Sequence, residues 1–458
     1  MISSLDSIQN IFFIGIAGTG MSAIAQFLAG NGKSIAGSDR YFVQGHYNDV
    51  KEKLEAEGIN CFLQDGSGIT DKTQLVVASS AVEEPNPEIQ KAKSLEIPIM
   101  LRSELLTIIS DTKRTIAVGG TSGKSTVSAM LFDILDHEGL SPSIISGAGL
   151  VRLQKKGKIG NAYVGKGEWL VIEADESDGS IVNYHPEIGL LLNIDKDHKE
   201  IDELKEIFAI FKKNTKKLFI INASHELTAE FSQDKKQDFS STGIVSGFIA
   251  TDFVQNGLQV SFKINGVDFS LNAIGRHNME NVLAAACVAN QIGVDLHTSA
   301  EAIKNYEGIY RRNQVLGNKH GVWVIDDYAH NPAKVAAAIR SVQPLGKKVV
   351  AWFQPHGYGP TRFLRNDFVQ EISTALRKQD EIWMSEIYYA GGTTIKNISA
   401  NDLINDLKES GRNAFFIENR NELLANMKSH LDNNSVLLLM GARDPSLDEF
   451  AKQVYEQL

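Results

Sequence analysis

Short apolar segments rich in β-branched residues alternate along the whole chain with longer amphipathic segments. This alternation is typical of parallel α/β sheets, in which a helix follows each strand. In the middle of the chain the apolar segments are nearly continuous, which predicts strands buried on both faces. The predicted strands lie at residues 11–16, 34–37, 75–79, 97–101, 115–118, 169–174, 189–194, 218–221, 322–325, 349–353, 381–384 and 436–440.

The amphipathic segments predict the helices, and two other patterns predict the connections. Asn265-Gly266, within residues 260–271, predicts a hairpin, because both residues tolerate the positive φ angles of a two-residue turn. Residues 152–167 are rich in glycine and lysine, and they predict an exposed loop. The helices are predicted at residues 21–29, 87–95, 124–137, 278–292, 332–342, 361–376 and 447–457.

The length of the chain, 458 residues, is enough for about three domains of ~150 residues each. A polar break at residues 111–113 precedes a new strand, and another unit begins near Tyr310. We therefore predict an α/β protein of three domains, at residues 1–111, 112–308 and 309–458.

Charge and composition narrow the classes of function. Lysine and arginine total 46 against 56 aspartates and glutamates, a formal net charge of −10. This argues against a nucleic-acid partner, because nucleic-acid binders carry a basic surface. The chain shows no signal peptide and no apolar stretch long enough to span a bilayer, which predicts a cytoplasmic protein with no membrane partner. Its two cysteines, Cys61 and Cys287, exclude a disulfide framework and indicate a reducing compartment.

The sharpest chemical signal is Gly119-Gly-Thr-Ser-Gly-Lys-Ser-Thr126, between a predicted strand and a predicted helix. It departs from Walker A spacing because Val118 stands where the first glycine would be. The glycines still let the backbone curl around phosphate oxygens, and the helix N-terminus offers free N–H groups. Lys124 would reach the terminal phosphates of a nucleotide, and Ser125 would ligate Mg²⁺. The alternative, a glycine turn with a solvated lysine, is disfavoured by the strand–helix context.

Acidic residues follow a buried strand in Glu173-Ala-Asp-Glu-Ser-Asp178. Ligands bind at the carboxyl ends of parallel strands, and Mg²⁺ takes one or two carboxylates together with phosphates and waters. Glu173 is therefore the candidate metal ligand, whereas Asp178 is expected only to cap the next helix. His198 ends Asn193-Ile-Asp-Lys-Asp-His198 after another buried strand, and it is a weaker candidate because a lone histidine is more often structural.

A second glycine-rich turn, Gly15-Ile-Ala-Gly-Thr-Gly20, lies near the start of the chain, with Asp39 about 20 residues further on. Its spacing is similar to that of dinucleotide-binding turns but identifies no particular ligand. It indicates that a phosphate-bearing ligand can approach the N-terminus of the next helix. A nicotinamide oxidoreductase therefore stays open as an alternative.

Taken in order, these motifs resemble the Mur ligase superfamily along nearly the whole chain. The chain is most similar to the alanine-adding branch, with the murein peptide ligases second. The resemblance implies a Rossmann-like N-terminal domain that binds the UDP substrate, a central P-loop ATPase-like domain, and a C-terminal Rossmann-like ligase domain. The matching segments also include Gly37-Ser-Asp39, Ser79-Ser-Ala81, Asn86-Pro-Glu88, Arg102-Ser-Glu104, Gly275-Arg-His-Asn278, Arg311-Arg312 and Asp326-Asp-Tyr-Ala-His-Asn-Pro332.

The resemblance also implies a reaction of peptidoglycan precursor synthesis. ATP would phosphorylate the carboxylate of UDP-N-acetylmuramate, and the amine of L-alanine would attack the acyl phosphate to leave an amide, ADP and phosphate. The implied partners are a UDP-linked muramoyl substrate and an amino acid, and the implied assembly is a monomer or homodimer. The implied catalytic residues are Lys124, Glu173 and His198, and the implied metal ligands are Ser125, Glu173 and His198.

The remaining implied contacts are those to ATP, which binds with Mg²⁺, and those to the UDP substrate. The nucleotide is assigned to Gly120, Thr121, Ser122, Gly123, Lys124, Ser125, Thr126, Asn278, Arg311, Asp327 and His330. The substrate is assigned to Gly18, Gly20, Met21, Ser22, Ser38, Asp39, Ser79, Ser80, His356 and Arg362.

Departures from the family pattern leave the acceptor amine open. Ser122 stands where the alanine-adding branch usually has histidine. Gly357 and Pro360 stand where the family has arginines that hold anionic groups, and neither can replace a guanidinium. Arg362 and Arg443 could take over that role. The alternatives are a murein peptide ligase or related ligase with another acceptor, and a degenerate, non-catalytic UDP-sugar-binding homologue.

Overall fold

The structure is a computed structural model that describes residues 2, 4–79, 82, 84–196, 199–389 and 395–458. The chain divides into two compact units. The first comprises Met1–Thr251, Lys263–Phe269 and Glu280–Ile309, and the second comprises Asp252–Phe262, Ser270–Met279 and Tyr310–Leu458. Two large parallel sheets lie in the first unit and a third lies in the second, so the α/β prediction is confirmed. The exact domain boundaries remain predictions.

The N-terminal part of the first unit alternates strands and helices. Asn86 starts one helix by accepting the N–H groups of Glu88 and Ile89, and Pro87 occupies the first helical position. The elements are β1 (Asn10–Ile14), α1 (Thr19–Gly30), β2 (Ser34–Ser38), α2 (Asp49–Ala56), β3 (Asn60–Phe62), β4 (Leu75–Ala78), α3 (Pro87–Ser94), β5 (Ile99–Leu101) and α4 (Arg102–Ser110). The strand order is β3-β2-β1-β4-β5, and every pair is parallel.

The central part of the first unit forms the second large sheet. Its elements are β6 (Arg114–Gly119), α5 (Lys124–His137), β7 (Ser143–Ile145), α6 (Val151–Gln154), β8 (Ala162–Tyr163), β9 (Trp169–Glu173), a 3₁₀ turn (Ser180–Asn183), β10 (Ile188–Leu191), α7 (Ile201–Asn214), β11 (Leu218–Ile221), α8 (Glu226–Ala229) and β12 (Phe239–Ser240). The strand order is β11-β10-β6-β9-β7-β8, parallel except for β7 with β8. Since β6 lies between β9 and β10, the carboxyl ends of these three strands meet at one edge.

The segment that follows carries residues of both units. Its elements are β13 (Phe248–Asn256), β14 (Gln259–Ile264), β15 (Val267–Leu271), α9 (Arg276–Gln291) and α10 (Leu296–Lys304). Asn265 and Gly266 have φ angles of +47° and +86°, which confirms the turn predicted between β14 and β15.

The second unit contains the third large sheet. Its elements are β16 (Gln314–Lys319), β17 (Val322–Asp327), α11 (Pro332–Val342), a 3₁₀ turn (Gln343–Leu345), β18 (Lys348–Gln354), α12 (Tyr358–Phe363), α13 (Arg365–Ala375), β19 (Glu381–Met384), α14 (Ala400–Glu409), β20 (Asn413–Phe416), a 3₁₀ turn (Arg420–Glu422), α15 (Leu423–Met427), a 3₁₀ turn (Lys428–His430), β21 (Ser435–Gly441) and α16 (Leu447–Gln457). The strand order is β16-β17-β21-β18-β19-β20, and only β16 with β17 is antiparallel.

The prediction of an exposed loop at residues 152–167 is wrong. This segment contains part of α6 and all of β8, and Leu153, Asn161 and Ala162 are buried. Its glycines allow close backbone packing, because a Cβ on Gly165 would lie 2.1 Å from the carbonyl oxygen of Ser141. Glycine in this segment therefore marks a tight approach between chain segments.

Asn161 links the central sheet to α1. Its Oδ1 accepts from Gln26 Nε2 at 2.8 Å, and its Nδ2 donates to the Thr19 carbonyl at 2.7 Å and to Ser22 Oγ at 2.9 Å. Because the bonds to Gln26 and Ser22 are buried, these hydrogen bonds fix the helix against the sheet.

Most other differences concern helices. The single helix predicted at residues 361–376 is two helices, α12 and α13, separated at the buried Leu364. The prediction also omits α7, although its buried residues Leu204, Phe208 and Phe211 follow the spacing of an amphipathic helix. Every predicted strand overlaps a strand of the structure. In the part of the chain that the structure describes, no helix has the length and apolar character needed to cross a membrane.

Candidate functional site

The candidate phosphate loop leads from the end of β6 into α5. Gly120 and Gly123 have φ angles of +129° and +86°, which favour glycine. A Cβ on Gly123 would lie 2.9 Å from Asn281 Oδ1, and one on Gly120 would lie 3.1 Å from the backbone nitrogen of Asn193. Both the backbone angles and the packing therefore require glycine at these positions.

Asn193, two residues beyond β10, fixes the shape of this loop. Its Oδ1 accepts from the Thr121 hydroxyl at 2.9 Å and from the Ser122 N–H at 2.8 Å. Its Nδ2 donates to the Ser122 carbonyl at 3.1 Å. These hydrogen bonds support the loop and hold it in one conformation.

Lys124, the first residue of α5, lies among oxygen atoms. Its Nζ donates to the Gly120 carbonyl at 2.8 Å and to Glu176 Oε2 at 2.6 Å, and Asp175 Oδ1 lies 3.7 Å away. Burial lowers the pKa of Lys124, but the charges of Glu176, Asp175 and Glu173 together raise it above its usual value. The ammonium therefore stays charged, as a group that neutralises phosphate must.

Ser125 and Glu173 come together as the sequence predicts for metal ligands. The Ser125 hydroxyl donates to Glu173 Oε2 at 2.9 Å. The other carboxylate oxygen of Glu173 accepts from Ser146 Oγ at 2.6 Å and from the Gly147 N–H at 2.7 Å, which fixes the carboxylate. Octahedral Mg²⁺ has oxygen ligands at about 2.1 Å, so adjacent ligands lie about 3 Å apart. The spacing of the two side-chain oxygens therefore fits one shared Mg²⁺.

The prediction that Asp178 only caps the next helix holds in part, because this carboxylate accepts an N–H of the next turn but also forms an ion pair. Its Oδ1 accepts the Ser180 N–H at 2.9 Å. Its Oδ2 lies 2.6 Å from Nη2 of Arg102, the first residue of α4, so it also links the central sheet to the N-terminal one. His198 lies outside the described residues, and its role stays a prediction.

The first glycine-rich turn, between β1 and α1, is held by the residues that follow β2. The N–H groups of Gly15 and Ile16 donate to the Ser38 carbonyl at 2.8 and 3.0 Å. Asp39 Oδ2 accepts the Ala17 N–H at 2.9 Å, and its Oδ1 accepts the Tyr41 N–H at 3.0 Å. Burial raises the pKa of Asp39 despite these hydrogen bonds. Asp39 therefore supports the turn.

The other N-terminal candidates differ in their surroundings. Gly18 precedes α1, and Gly20 lies in its first turn, where a Cβ would be 3.1 Å from Arg102 Nη1. Met21 packs in the core, and the Ser22 hydroxyl donates to the Gly18 carbonyl at 3.0 Å. Ser79 follows β4, whereas Ser80 lies outside the described residues.

The C-terminal candidates lie in the second unit, where two of them have buried polar partners. Arg311 forms a bidentate pair with Asp326 at 2.8 and 3.0 Å, and it also donates to the Gly441 carbonyl at 3.0 Å. Asp327 accepts the N–H groups of Asn313 at 2.6 Å and Ala329 at 2.7 Å. These contacts give Arg311 and Asp327 a structural role beside any role in binding.

Two histidines of the second unit, His330 and His356, lie side by side. The rings of His330 and His356 have centroids 5.6 Å apart. Burial lowers the pKa of His330 well below its usual value, so its imidazole is neutral. Arg362 donates to the side chain of Asn397, and the buried Asn278 donates to the Ile274 carbonyl at 2.8 Å.

Gly357 has a conformational reason to be glycine. It precedes α12 with φ +71° and ψ +117°, a combination that side chains other than glycine strain to adopt. A Cβ there would also lie 3.4 Å from Cδ of Pro360. The two residues that depart from the family pattern therefore form one local structure.

Comparison with known proteins identifies the family. Models of the Mur ligase family match three stretches: the catalytic domain at residues 10–114, the middle domain at residues 118–289 and the glutamate ligase domain at residues 311–443. A curated UDP-N-acetylmuramate–L-alanine ligase of Carboxydothermus hydrogenoformans is 34% identical over 454 residues, covering 94% of this chain and 93% of that protein. This chain belongs to the Mur ligase family. It is accordingly an ATP-dependent, amide-forming ligase, as the sequence resemblance implied.

Solved structures agree with this Mur ligase assignment. The UDP-N-acetylmuramate–alanine ligase of Thermotoga maritima superposes with a TM-score of 0.79 at 26% identity, over 98% of both chains. A murein peptide ligase of Psychrobacter arcticus superposes with a TM-score of 0.69 at 19% identity, over 98% of both chains, and shows the shared fold. The three-domain α/β class predicted from the sequence is thereby confirmed.

Sequence reasoning missed several residues of this Mur ligase site. Asn193 opens the motif that ends in His198, but only the histidine carried a chemical signal. Glu176 stands inside the acidic motif, yet its contact with Lys124 depends on how the chain turns after β9. Asp195, which accepts from His225 Nε2 at 3.3 Å, stands in the same motif as Asn193 but was given no role, and Ser146 had no sequence signal.

Proposed function

We propose that this Mur ligase joins L-alanine to the carboxylate of UDP-N-acetylmuramate at the expense of ATP. The observation that carries the proposal is the 2.9 Å hydrogen bond between Glu173 and Ser125, the residue that follows Lys124. This contact brings Lys124 and two candidate oxygen ligands for a metal together at one edge of the sheet. The similarity to alanine-adding relatives over nearly the whole chain supports the choice of substrate.

The residues around the phosphate loop have separate tasks. Lys124 neutralises charge on the phosphoryl group in transfer, which is the main source of rate in such reactions. Ser125 and Glu173 would hold Mg²⁺, which supplies further positive charge to the phosphate oxygens. Asn193 keeps Thr121 and Ser122 in place, so the backbone N–H groups of the loop stay oriented.

The first glycine-rich turn is the proposed site of the diphosphate of the UDP substrate. Its backbone lies at the N-terminus of α1, where N–H groups and the helix dipole favour anions. The Ser38 carbonyl and the Asp39 carboxylate hold the turn by accepting its backbone N–H groups. Neither residue supplies a positive charge for the diphosphate. The substrate-binding roles of His356 and Arg362 and the metal-ligating role of His198 remain predictions, as do a cytoplasmic location and a monomer or homodimer.

A coupled assay tests the proposal. The purified protein is incubated with UDP-N-acetylmuramate, Mg·ATP and one amine at a time, and both phosphate release and the amide product are measured. We expect product with L-alanine. Product only with a preformed peptide would instead identify a murein peptide ligase, which Gly357 and Pro360 in place of family arginines leave open.

Two further outcomes would contradict a ligase of this kind. No product with any amine, although UDP-N-acetylmuramate binds, would indicate a non-catalytic sugar-nucleotide-binding protein. Binding of a nicotinamide cofactor at the first turn, measured by fluorescence titration, would support the oxidoreductase alternative. We expect a flat titration.

A further inference from the structure

The acidic segment, Asp175, Glu176, Ser177 and Asp178, contacts groups at both glycine-rich turns of the first unit. Glu176 Oε2 lies 2.6 Å from Lys124 Nζ at the phosphate loop. Asp178 Oδ2 lies 2.6 Å from Arg102 Nη2 beside the first turn. Only one residue separates the two carboxylates in sequence, so a shift of one moves the backbone that carries the other.

Glu176 occupies the place of an anion at Lys124. The Glu176 side chain is 5% exposed and that of Lys124 is 14% exposed, so water screens their interaction little. Of the three ammonium donors, one is directed to the Gly120 carbonyl and one to Glu176. A carboxylate oxygen and a phosphate oxygen are both anionic acceptors. Phosphates that reach Lys124 must therefore displace Glu176 or be repelled by it.

Arg102 lies against the other turn. A Cβ on Gly20, in the first turn of α1, would be 3.1 Å from Arg102 Nη1 and 3.3 Å from its Cδ. An anionic ligand at the N-terminus of α1 would therefore compete with Asp178 for the guanidinium. Gly179, directly after the acidic segment, has a φ of +72°, which favours glycine.

We propose that the acidic segment controls access of the nucleotide to Lys124. Glu176 holds the lysine until phosphates displace it, and a nucleoside diphosphate at the first turn weakens the Arg102–Asp178 pair and eases that displacement. Glu176 is thus a positioning residue that acts through Lys124. The proposal rests on the proposed function, because it needs phosphate groups at both turns.

Substitution of Glu176 tests the first half of the proposal. The full-length protein is titrated with Mg²⁺ and AMP-PNP by calorimetry. Glu176→Gln keeps the side-chain shape and removes the competing charge, so we expect the dissociation constant to fall about five- to tenfold, in the range of such couplings. KM for ATP falls with it, and kcat changes by less than about threefold. A purely structural role predicts weaker binding.

Glu187→Gln is the matched control. Glu187 also pairs with basic groups, Arg114 at 2.5 Å and Lys217 at 2.8 Å, but it lies before β10 at the opposite end of the sheet. We expect unchanged AMP-PNP affinity. Thermal unfolding checks that each variant is folded. If Glu176→Gln unfolds early, Glu176→Asp provides a second test, because its shorter side chain keeps the charge but lengthens the contact, and it should tighten binding by a smaller factor.

Substitution of Asp178 tests the second half. With saturating UDP, the wild-type dissociation constant for Mg·AMP-PNP should fall several-fold, and Asp178→Asn should abolish this effect of UDP. Lys158→Met is the control, because it breaks another ion pair between the two sheets, Lys158 with Glu57 at 3.2 Å, and should leave the effect unchanged.

The outcomes separate this proposal from the proposed function. A wild-type protein that binds neither AMP-PNP nor UDP overturns both. A wild-type protein that forms the alanine amide, while Glu176→Gln binds AMP-PNP no more tightly, overturns the role of Glu176 alone. An effect of UDP that survives in Asp178→Asn, or that is absent from the wild type, overturns the coupling.

Discussion

Two glycine-rich turns of the first unit have the same place in their sheets and different chemistry. Each follows an interior parallel strand, β1 or β6, and leads into a helix, α1 or α5. The first turn is held by Ser38 and Asp39 from the neighbouring strand β2 and the residue after it. The second is held by Asn193 from beyond the neighbouring strand β10. In both, a polar group beyond the next strand supports the turn.

Charge is what separates the two turns. Helix α1 has no ionisable side chain, so an anion there meets backbone N–H groups, the helix dipole and the Arg102 guanidinium of α4, which Asp178 already neutralises. Helix α5 begins with Lys124, which lies within 3.7 Å of two carboxylates. The backbone provides N–H groups for an anion in both cases, but only the second turn combines a cation from its own helix with candidate metal ligands. The proposed function therefore assigns binding of the UDP substrate to the first turn and phosphoryl transfer from ATP to the second.

The largest test of this division is Lys124→Met. We expect the rate of amide formation to fall by about a thousandfold or more, because a positioned charge is lost where negative charge develops. The affinity for UDP, measured by calorimetry, should stay within about twofold, because the first turn is untouched.

Lys113→Met serves as its control. Lys113 donates to the carbonyls of Gly165 and Gly167 at 3.2 and 2.7 Å, at the opposite end of the central sheet. It should retain most of its activity. Activity of Lys124→Met within tenfold of the wild type would refute the assignment of phosphoryl transfer to the second turn.

How far the sequence predicts the site follows from the same comparison. Strand-to-helix turns with glycine are local in sequence, so Gly120, Gly123 and Lys124 could be read directly. Glu173 could be predicted because parallel strands end at one sheet edge. Contacts made by residues between elements could not be predicted. Asn193 and Glu176 reach the loop only because β6 lies between β9 and β10, and that order is a property of the folded sheet.

The same limit explains the error at residues 152–167. Glycine and lysine content suggests exposure, but the physical role of Gly165 is set by a distant carbonyl, that of Ser141. In the second unit, the motif that contains Arg311 could be recognised in the sequence. The bidentate pairing of Arg311 with Asp326 could not, because it depends on the register of β16 against β17. Residues that act through long-range contacts therefore need the structure.

Asn193→Ala tests whether the hydrogen bonds that shape the second turn contribute independently of the charge of Lys124. We expect a loss of about 1–3 kcal/mol in the free energy of unfolding, because the Ser122 N–H loses its acceptor and the Thr121 hydroxyl keeps only the longer contact to Asp195 Oδ2, at 3.3 Å. KM for ATP should rise about tenfold, since the loop is no longer held in one shape. Urea unfolding and steady-state kinetics measure both.

Asp39→Ala is the counterpart at the first turn. It removes the acceptor of the Ala17 and Tyr41 N–H groups. It should raise KM for UDP-N-acetylmuramate and leave KM for ATP within about twofold. If both substitutions raised the same KM, the two turns would not bind different substrates.

A pH dependence of stability is expected from α5 and not from α1. Burial, opposed by Arg152 Nε at 2.8 Å from Oδ1, raises the pKa of Asp133 to about 7. Between the usual carboxyl value and 7, the folded protein holds a proton that the unfolded chain has released. Stability from this group is therefore present at low pH and is lost as pH rises, by up to about 1.4 kcal/mol per pH unit.

Asp133→Asn should remove this slope, because the amide cannot ionise. Because buried histidines such as His330 make stability rise with pH over the same range, the measured quantity is the difference between the two proteins. From urea titrations, we expect the wild type to lose about 2 kcal/mol of unfolding free energy relative to the variant between pH 5 and 7. Asp136→Asn removes a more exposed carboxylate from the same Arg152, 2.9 Å from its Nη1, and should keep the wild-type slope. Equal slopes in all three proteins would show that the pKa of Asp133 does not change on folding. Any pH dependence of stability from α5 would then come only from the groups around Lys124.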